Sequence, residues 1–339
     1  MRTSRLSLAG PLVAGALALA AFALVPQTNS TFYLALAFNV LIFALLAMSA
    51  DLLGGYTGLF SLAHASLFGT AAYGVAIAQN HGYSPWESAG IGVAAAVAVG
   101  ALAGVIAVRV DGIAFVMVTL AIGQILWGLA FRWTSFTGGE NGQAVFARPS
   151  LGGHVPTANA DFYWVVLVTV LLLMLVLRLI VSSPFVLALE GIRDNEARMR
   201  SLGYRTYLHK YAAFVISSFF AGCAGVIFAF YNLFVSSSAL DFLHNGYVLV
   251  MVVFGGMGTL WGSLIGAVFI VCSQQWLSLY FERWATAVGV VLILTILFAP
   301  GGVLGIWRSL VSRLRRGDGP EEHPPAAAIA VEQIEGAEL

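Results

Sequence analysis

Stretches of about 20 predominantly apolar residues, the length needed to cross a bilayer as a helix, recur along this chain near 8–25, 32–50, 58–78, 88–108, 113–131, 162–181, 208–230 and 284–300. A soluble domain carries about 25% charged residues. Here 60% of the 339 residues are apolar and only 9% are charged, so most of the surface must face lipid. Backbone in lipid has to satisfy its own hydrogen bonds, which leaves helices or closed barrels, and runs of this length specify helices. The expected class is an all-α polytopic membrane protein with about 8 full transmembrane helices. Residues 247–280 are too long for one span and carry Gly255, Gly256, Gly258 and Gly262 inside them. They read as a Gly-broken helix pair, either two short spans or a re-entrant pair, for about 10 segments in all.

The direction of the spans follows from Lys and Arg placement. With the N-terminus inside and the spans alternating, thirteen of the sixteen Lys and Arg fall inside, among them Arg109, Arg178, Lys210 and the C-terminal Arg308 to Arg316. Only Arg132, Arg148 and Arg283 fall outside. Both termini are therefore expected in the cytoplasm. Residues 1–31 read as a retained first span resembling a signal anchor, because no small-x-small cleavage site follows the apolar run. Residues 308–339 read as a basic segment and then a disordered acidic tail with little to bury. The outer loop 132–160 is long and contains TGGENG, 137–142, whose glycines permit tight turns; it is either a connector or a docking surface.

Several function classes are excluded. Zero net charge makes nucleic acid an implausible partner. Cys223 and Cys272, each in an apolar run, make neither a disulfide framework nor a metal cluster. No catalytic signature and no P-loop occurs, so the chain does not hydrolyse ATP by itself in that fold. An ion-driven carrier usually needs an intramembrane acid, yet Asp51 and Asp111 sit only at the ends of spans. His64 is the main ionisable exception and reads more readily as a hydrogen-bonding residue than as a relay. Asn39 and Gln124 read as interhelical hydrogen-bond partners, and the spaced pairs Gly100/Gly104, Ser218/Gly222 and Gly262/Gly266 as close helix contacts.

Two glycine-rich breaks resemble each other. Gly54, Gly55, Tyr56, Gly58 and Ser61 form one, and Gly255, Gly256, Gly258, Gly262 and Ser263 the other. Internal similarity of this kind is what duplicated transporter halves leave behind, so an inverted repeat is a candidate. Unwound backbone at membrane depth is tolerated only where it is buried or lines a cavity. Gly54, Gly55, Tyr56, Gly58, Ser61, His64, Gly255, Gly256 and Gly258 are therefore the translocation-path candidates.

Residues 184–210 form a charged island between long apolar runs, with three acids and five of the sixteen Lys and Arg. Pro184 suits a first helical turn and Gly203 a helix stop, which predicts one cytoplasmic helix over 185–203. A helix resting on lipid headgroups would have a dominantly basic polar face. Asp194 and Glu196 oppose that, and a ridge of apolar residues beside mixed charge suits a protein groove.

Glu196-Ala197 followed by Gly203 resembles the coupling loop of ABC-importer permeases. Residues 49–73, 136–142, 252–263 and 298–305 are similar to blocks of the branched-chain amino acid permeases of the LivM type, across roughly 32–307. Ala63, where Gly is commoner, and Arg198, where a second Ala is usual, depart from that pattern. The resemblance implies a permease domain over 32–307 that pairs with a homologous LivH-type permease in a prokaryotic plasma (inner) membrane. It also implies two cytoplasmic ATPase subunits, gripping near Arg193, Glu196, Ala197 and Gly203, and an extracytoplasmic amino-acid-binding protein. ATP-Mg would then belong to the partners, with no cofactor or metal in this chain. The alternatives are the same type of permease for urea, short amides or other amino acids, an ion-coupled secondary transporter, and a membrane enzyme.

Overall fold

The computed structural model describes residues 30–150 and 159–280, with Phe22, Pro26 and isolated positions between 286 and 305. Apart from such positions, the expected spans 8–25 and 284–300 and the tail 308–339 lie outside the described residues. Ten helices organise the described part, leaving aside single turns. They are α1 (Thr31–Thr57), α2 (His64–Asn80), α3 (Pro85–Ala107), α4 (Gly112–Arg132), α5 (Asn159–Val181), α6 (Pro184–Asp194), α7 (Glu196–Ser201), α8 (Thr206–Asn232), α9 (Phe242–Gly255) and α10 (Leu260–Tyr280). Six of these, α1, α3, α4, α5, α8 and most of α10, are long and apolar enough to cross a membrane. The molecule is an all-α polytopic membrane protein.

Local chemistry sets several boundaries. Ser84 and Glu87 cap each other's backbone around Pro85 and start α3, a reciprocal arrangement that satisfies two otherwise unpaired amides. Asn195 ends α6 in an extended conformation, and its side chain accepts the Arg198 amide at 2.9 Å to start α7. The single helix expected over 185–203 is thus two helices with a corner at Asn195, because a short amide side chain competes well for a helix N-terminus. Gly203, at φ 89°, ends the pair as expected.

Helix α8 runs through the middle of the bundle against α1, α2 and α3. Small residues permit this approach: a Cβ at Gly225 would overlap the Phe68 backbone, Gly222 faces Ala96, and Gly100 faces Ser218. Two of the spaced pairs therefore meet across one contact. The third works in α10, where Gly262 lies on Gly255 and Gly266 on the Met251 backbone. Pairing that runs up one helix and down the other makes α9 and α10 an antiparallel hairpin, and this hairpin lies on α1. Asn39 departs from expectation: its amide bonds Ala35 O within its own helix at 2.9 Å, not a neighbour.

At the end of the bundle opposite α6 and α7, β1 (Gln143–Ala144) pairs antiparallel with β2 (Phe234–Val235). The TGGENG segment is built from turns, with Gly138, Gly139 and Gly142 at positive φ. Gln79 anchors the chain just after β1: its Oε1 accepts the amides of Phe146 and Ala147 at 2.7 and 3.1 Å, and its Nε2 donates to Ala147 O at 2.8 Å.

Candidate functional site

A helix end exposes carbonyls that have no partner within the helix. At the end of α1 one of these, Gly55 O, accepts the Arg193 guanidinium of α6 at 2.5 Å. A cation here also meets the negative end of the helix dipole. Gly58 closes α1 at φ 74°, and a side chain there would press on the Arg193 methylenes. The other break touches the same spot. A Cβ at Gly55 would overlap the Gly258 backbone, and the Gly258 amide donates to Asp51 Oδ1 at 2.8 Å. The unwound chain between α9 and α10, with Gly256 at φ 114° and Gly258 at φ 71°, thereby finds a partner for an amide that lipid would leave unpaired. Asp51 is fully buried. The buried Ser263 hydroxyl of α10 faces the same carboxyl.

The structure therefore brings Gly54, Gly55, Gly58, Gly256, Gly258 and Arg193 to one junction. It corrects where the breaks begin. Gly54, Gly55 and Tyr56 are helical and buried within α1, and the chain unwinds only from Gly58 to Ala63; Gly255 likewise is the last residue of α9. A glycine pair inside a helix serves close approach here, not unwinding. The expected span 58–78 starts at His64 for the same reason.

His64 and Ser61 lie away from that junction. Ser61 Oγ accepts the Ala63 amide at 3.3 Å. His64 opens α2, fully buried, with Nε2 2.6 Å from Ser217 Oγ of α8. Ser217 gives its own proton to Ser49 O of α1 at 2.5 Å, so the proton in the first bond comes from His64 Nε2. The imidazole ties three helices together. Asn245 does similar work: its Oδ1 accepts the Ala65 amide at 2.8 Å and its Nδ2 donates to Ser66 Oγ at 3.3 Å, joining α9 to α2.

The remaining expected residues occupy α6 and α7. Ala197 is exposed, and Gly203 has no neighbour that a Cβ would meet. Glu196 is turned inward. Its Oε2 lies 2.7 Å from Lys210 Nζ and its Oε1 2.7 Å from the Arg200 guanidinium. Burial works against its charge, but hydrogen bonds from Lys210, Thr206 and Arg200 outweigh it and hold the carboxyl down at about 2, from an ordinary 4.5. Outward, α6, α7 and the turn after them expose Leu187 at 67% and Leu202 at 66%, with Tyr204, interspersed with the charged Asp194, Arg198 and Arg200.

Two cavities lie in the bundle. One of about 560 Å³ lies between α1, α5 and α10, and is lined by Met48, Tyr56, Arg178, Thr259, Trp261 and Leu264 among others. The other, about 460 Å³, lies between α2, α3 and α4 around Tyr73. Of the glycines at the junction, Gly258 borders the first. Sequence reasoning missed Ser217, Asn245 and Lys210 as partners, and treated Asp51 only as a terminal acid. The available signal for Ser217 and Asn245 was a polar residue inside an otherwise apolar run, which in lipid marks a contact or a pathway.

Membrane-crossing helices with buried glycine-lined breaks define a polytopic transport protein. Residues 32–299 match the family described as branched-chain amino acid transport system / permease component, and the chain belongs to that family. It is 29% identical over 292 residues to the high-affinity branched-chain amino acid transport system permease protein LivM of Escherichia coli, covering 79% of this chain and 69% of that one, and equally to LivM of Salmonella typhimurium. It is 28% identical over 218 residues, 60% of each chain, to the autoinducer 2 import system permease protein LsrC of an Enterobacter species. No solved structure matches it.

Proposed function

We propose that this chain is one permease subunit of an ATP-driven importer of branched-chain amino acids in a prokaryotic inner membrane. Its termini and the α6–α7 segment face the cytoplasm, and the β1–β2 end faces a binding protein that delivers solute. A homologous permease completes the membrane part. Two ATPases, which hold ATP-Mg, seat on this exposed segment, against Leu187, Leu202 and Tyr204 with Ala197 and Gly203. Closure of the ATPases displaces α6, and Arg193 carries the displacement to the point where both breaks meet. The single observation supporting this is the Arg193 bond to Gly55 O beside Gly258. A cytoplasmic surface segment thereby touches the two places where the membrane helices are unwound. Such a stroke is a two-state shift driven by differential binding.

The resemblance to LsrC gives a second reading within the class, import of another small polar solute. Uptake of labelled leucine, isoleucine, valine and urea by a strain lacking the chain, with and without its return, separates these. Restored uptake of the three amino acids that vanadate stops and an uncoupler spares is expected. Uptake stopped by the uncoupler alone would leave an ion-driven carrier. In the same assay Arg193→Ala should lower the uptake rate by about tenfold, the loss of one charge-assisted hydrogen bond.

A further inference from the structure

We propose that Lys210 is a positioning residue that carries movement of α7 into α8, as a second mechanical link beside Arg193. The proposal rests on the ATP-driven importer reading. Lys210 lies one turn into α8 with its side chain only 6% exposed. Its ammonium meets Glu196 Oε2 of α7 at 2.7 Å and Asp111 Oδ1, in the turn before α4, at 2.6 Å. Arg200 closes the group from α7: it reaches Glu196 Oε1 at 2.7 Å and Thr206 Oγ1 at 3.2 Å. One buried cation thus clamps α7 to α8 across the short turn 202–205 that joins them, and ties both to the turn before α4, which is remote in the chain.

The buried ammonium resists separation from the part-buried Glu196 more than an exposed pair would, since losing that partner leaves charge uncompensated in a poor solvent, whereas Asp111, 60% exposed, adds less. Glu196 accordingly moves with Lys210, and Lys210 with α8. Two turns further along α8, Ser217 holds His64, the first residue after the unwound stretch 58–63, and the Ser49 carbonyl of α1. The stretch is gripped at both ends: Arg193 holds the Gly55–Gly58 side from α6, and the Lys210–Ser217 side of α8 holds His64. A stroke on α6 and α7 would then change the span of 58–63 instead of moving it as a body. In this arrangement Glu196 is an internal strut, and the ATPase-facing surface is the exposed side chains around it.

Spatial continuity alone does not establish coupling, so the test is a double-mutant cycle. The complete importer, with its ATPases and binding protein, is placed in proteoliposomes, and solute moved per ATP hydrolysed is measured for Lys210→Met, Glu196→Gln and the double variant. Each single change is expected to lower the ratio by about tenfold, and the double change to lower it no further. Lys210→Arg should keep the ratio within about twofold, since a cation at that site is what matters. A ratio equal to the unaltered complex in both single variants overturns the proposal, as do effects that multiply in the double variant. If Lys210→Met does not assemble, Lys210→Gln takes its place in the cycle with the same two readings. An unaltered complex that moves no solute on ATP would instead remove the importer reading itself, so the two failures are distinct.

Discussion

Helices α4 and α8 are nearly equal in apolar character, yet 72% of the most apolar stretch of α8 is buried within the protein against 22% in α4. The difference lies in which small and polar residues each carries. Helix α8 has Ser217, Ser218, Gly222 and Gly225 on the faces that meet α1, α2 and α3. Helix α4 offers one stripe, Phe115, Thr119 and Gly123, and turns Ile113, Met117 and Ile125 outward. Lipid tails are as apolar as leucine, so apolar character gives no preference between the bundle centre and the bilayer. Close backbone approach and hydrogen bonds decide, and they need glycine, serine and the occasional carboxylate.

The largest effect that would break this comparison is a bulky residue at the centre. Gly225→Leu places a side chain where a Cβ alone overlaps the Phe68 carbonyl. It should abolish a folded, extractable protein, since interiors this dense transmit a clash and do not absorb it. Gly90→Leu in α3, where a Cβ meets nothing within 4 Å, is the matched control and should leave the yield of monodisperse protein in detergent unaltered. Equal yields from both would show that α8 is not central.

Helix positions were legible in the sequence because the 3.6-residue backbone is the cheapest way to satisfy amides in lipid, and long apolar runs leave no other choice. Four of the six expected runs within the described residues match helices closely, while 32–50 continues to Thr57 and 58–78 begins only at His64. The glycine pairs were legible as a place but not as a conformation. Gly54 and Gly55 continue the helix of α1, and the reason for glycine at Gly55 is that Gly258, some 200 residues away in the chain, packs against it where a Cβ would overlap. The turn at Asn195 and the inward face of Glu196 were not legible for a related cause. Both depend on partners, Arg198 and Lys210, whose geometry only the folded chain supplies. The spaced small pairs were read as packing, and packing is what they do.

Asp51 sharpens the comparison at a middling size. The central helix α1 bears a buried carboxylate, and it takes the amide of an unwound segment. Asp51→Leu leaves the Gly258 N–H buried and unpaired, which costs about 1–3 kcal/mol. Thermal unfolding of the detergent-solubilised complex should register that loss. Asp51→Asn keeps an oxygen that accepts the same amide, so it should lose much the smaller part. An equal drop for both would place the importance in the charge and not in the acceptor.

The smallest effect belongs to the lipid-facing side. Leu172 on α5 is 57% exposed, and shortening it exchanges contact with lipid tails for contact with lipid tails. In a water-soluble core a leucine-to-alanine change costs about 2–5 kcal/mol, because the cavity it leaves collapses only partly. Tails flow into the space beside α5, so Leu172→Ala should shift stability by less than about 0.5 kcal/mol. The corresponding truncation of fully buried Phe220 on α8 leaves a void that no lipid can reach and should cost several times more. Chemical denaturation of the two variants side by side measures the contrast. A large loss at Leu172 would mean that another protein surface, and not the bilayer, covers that face of α5.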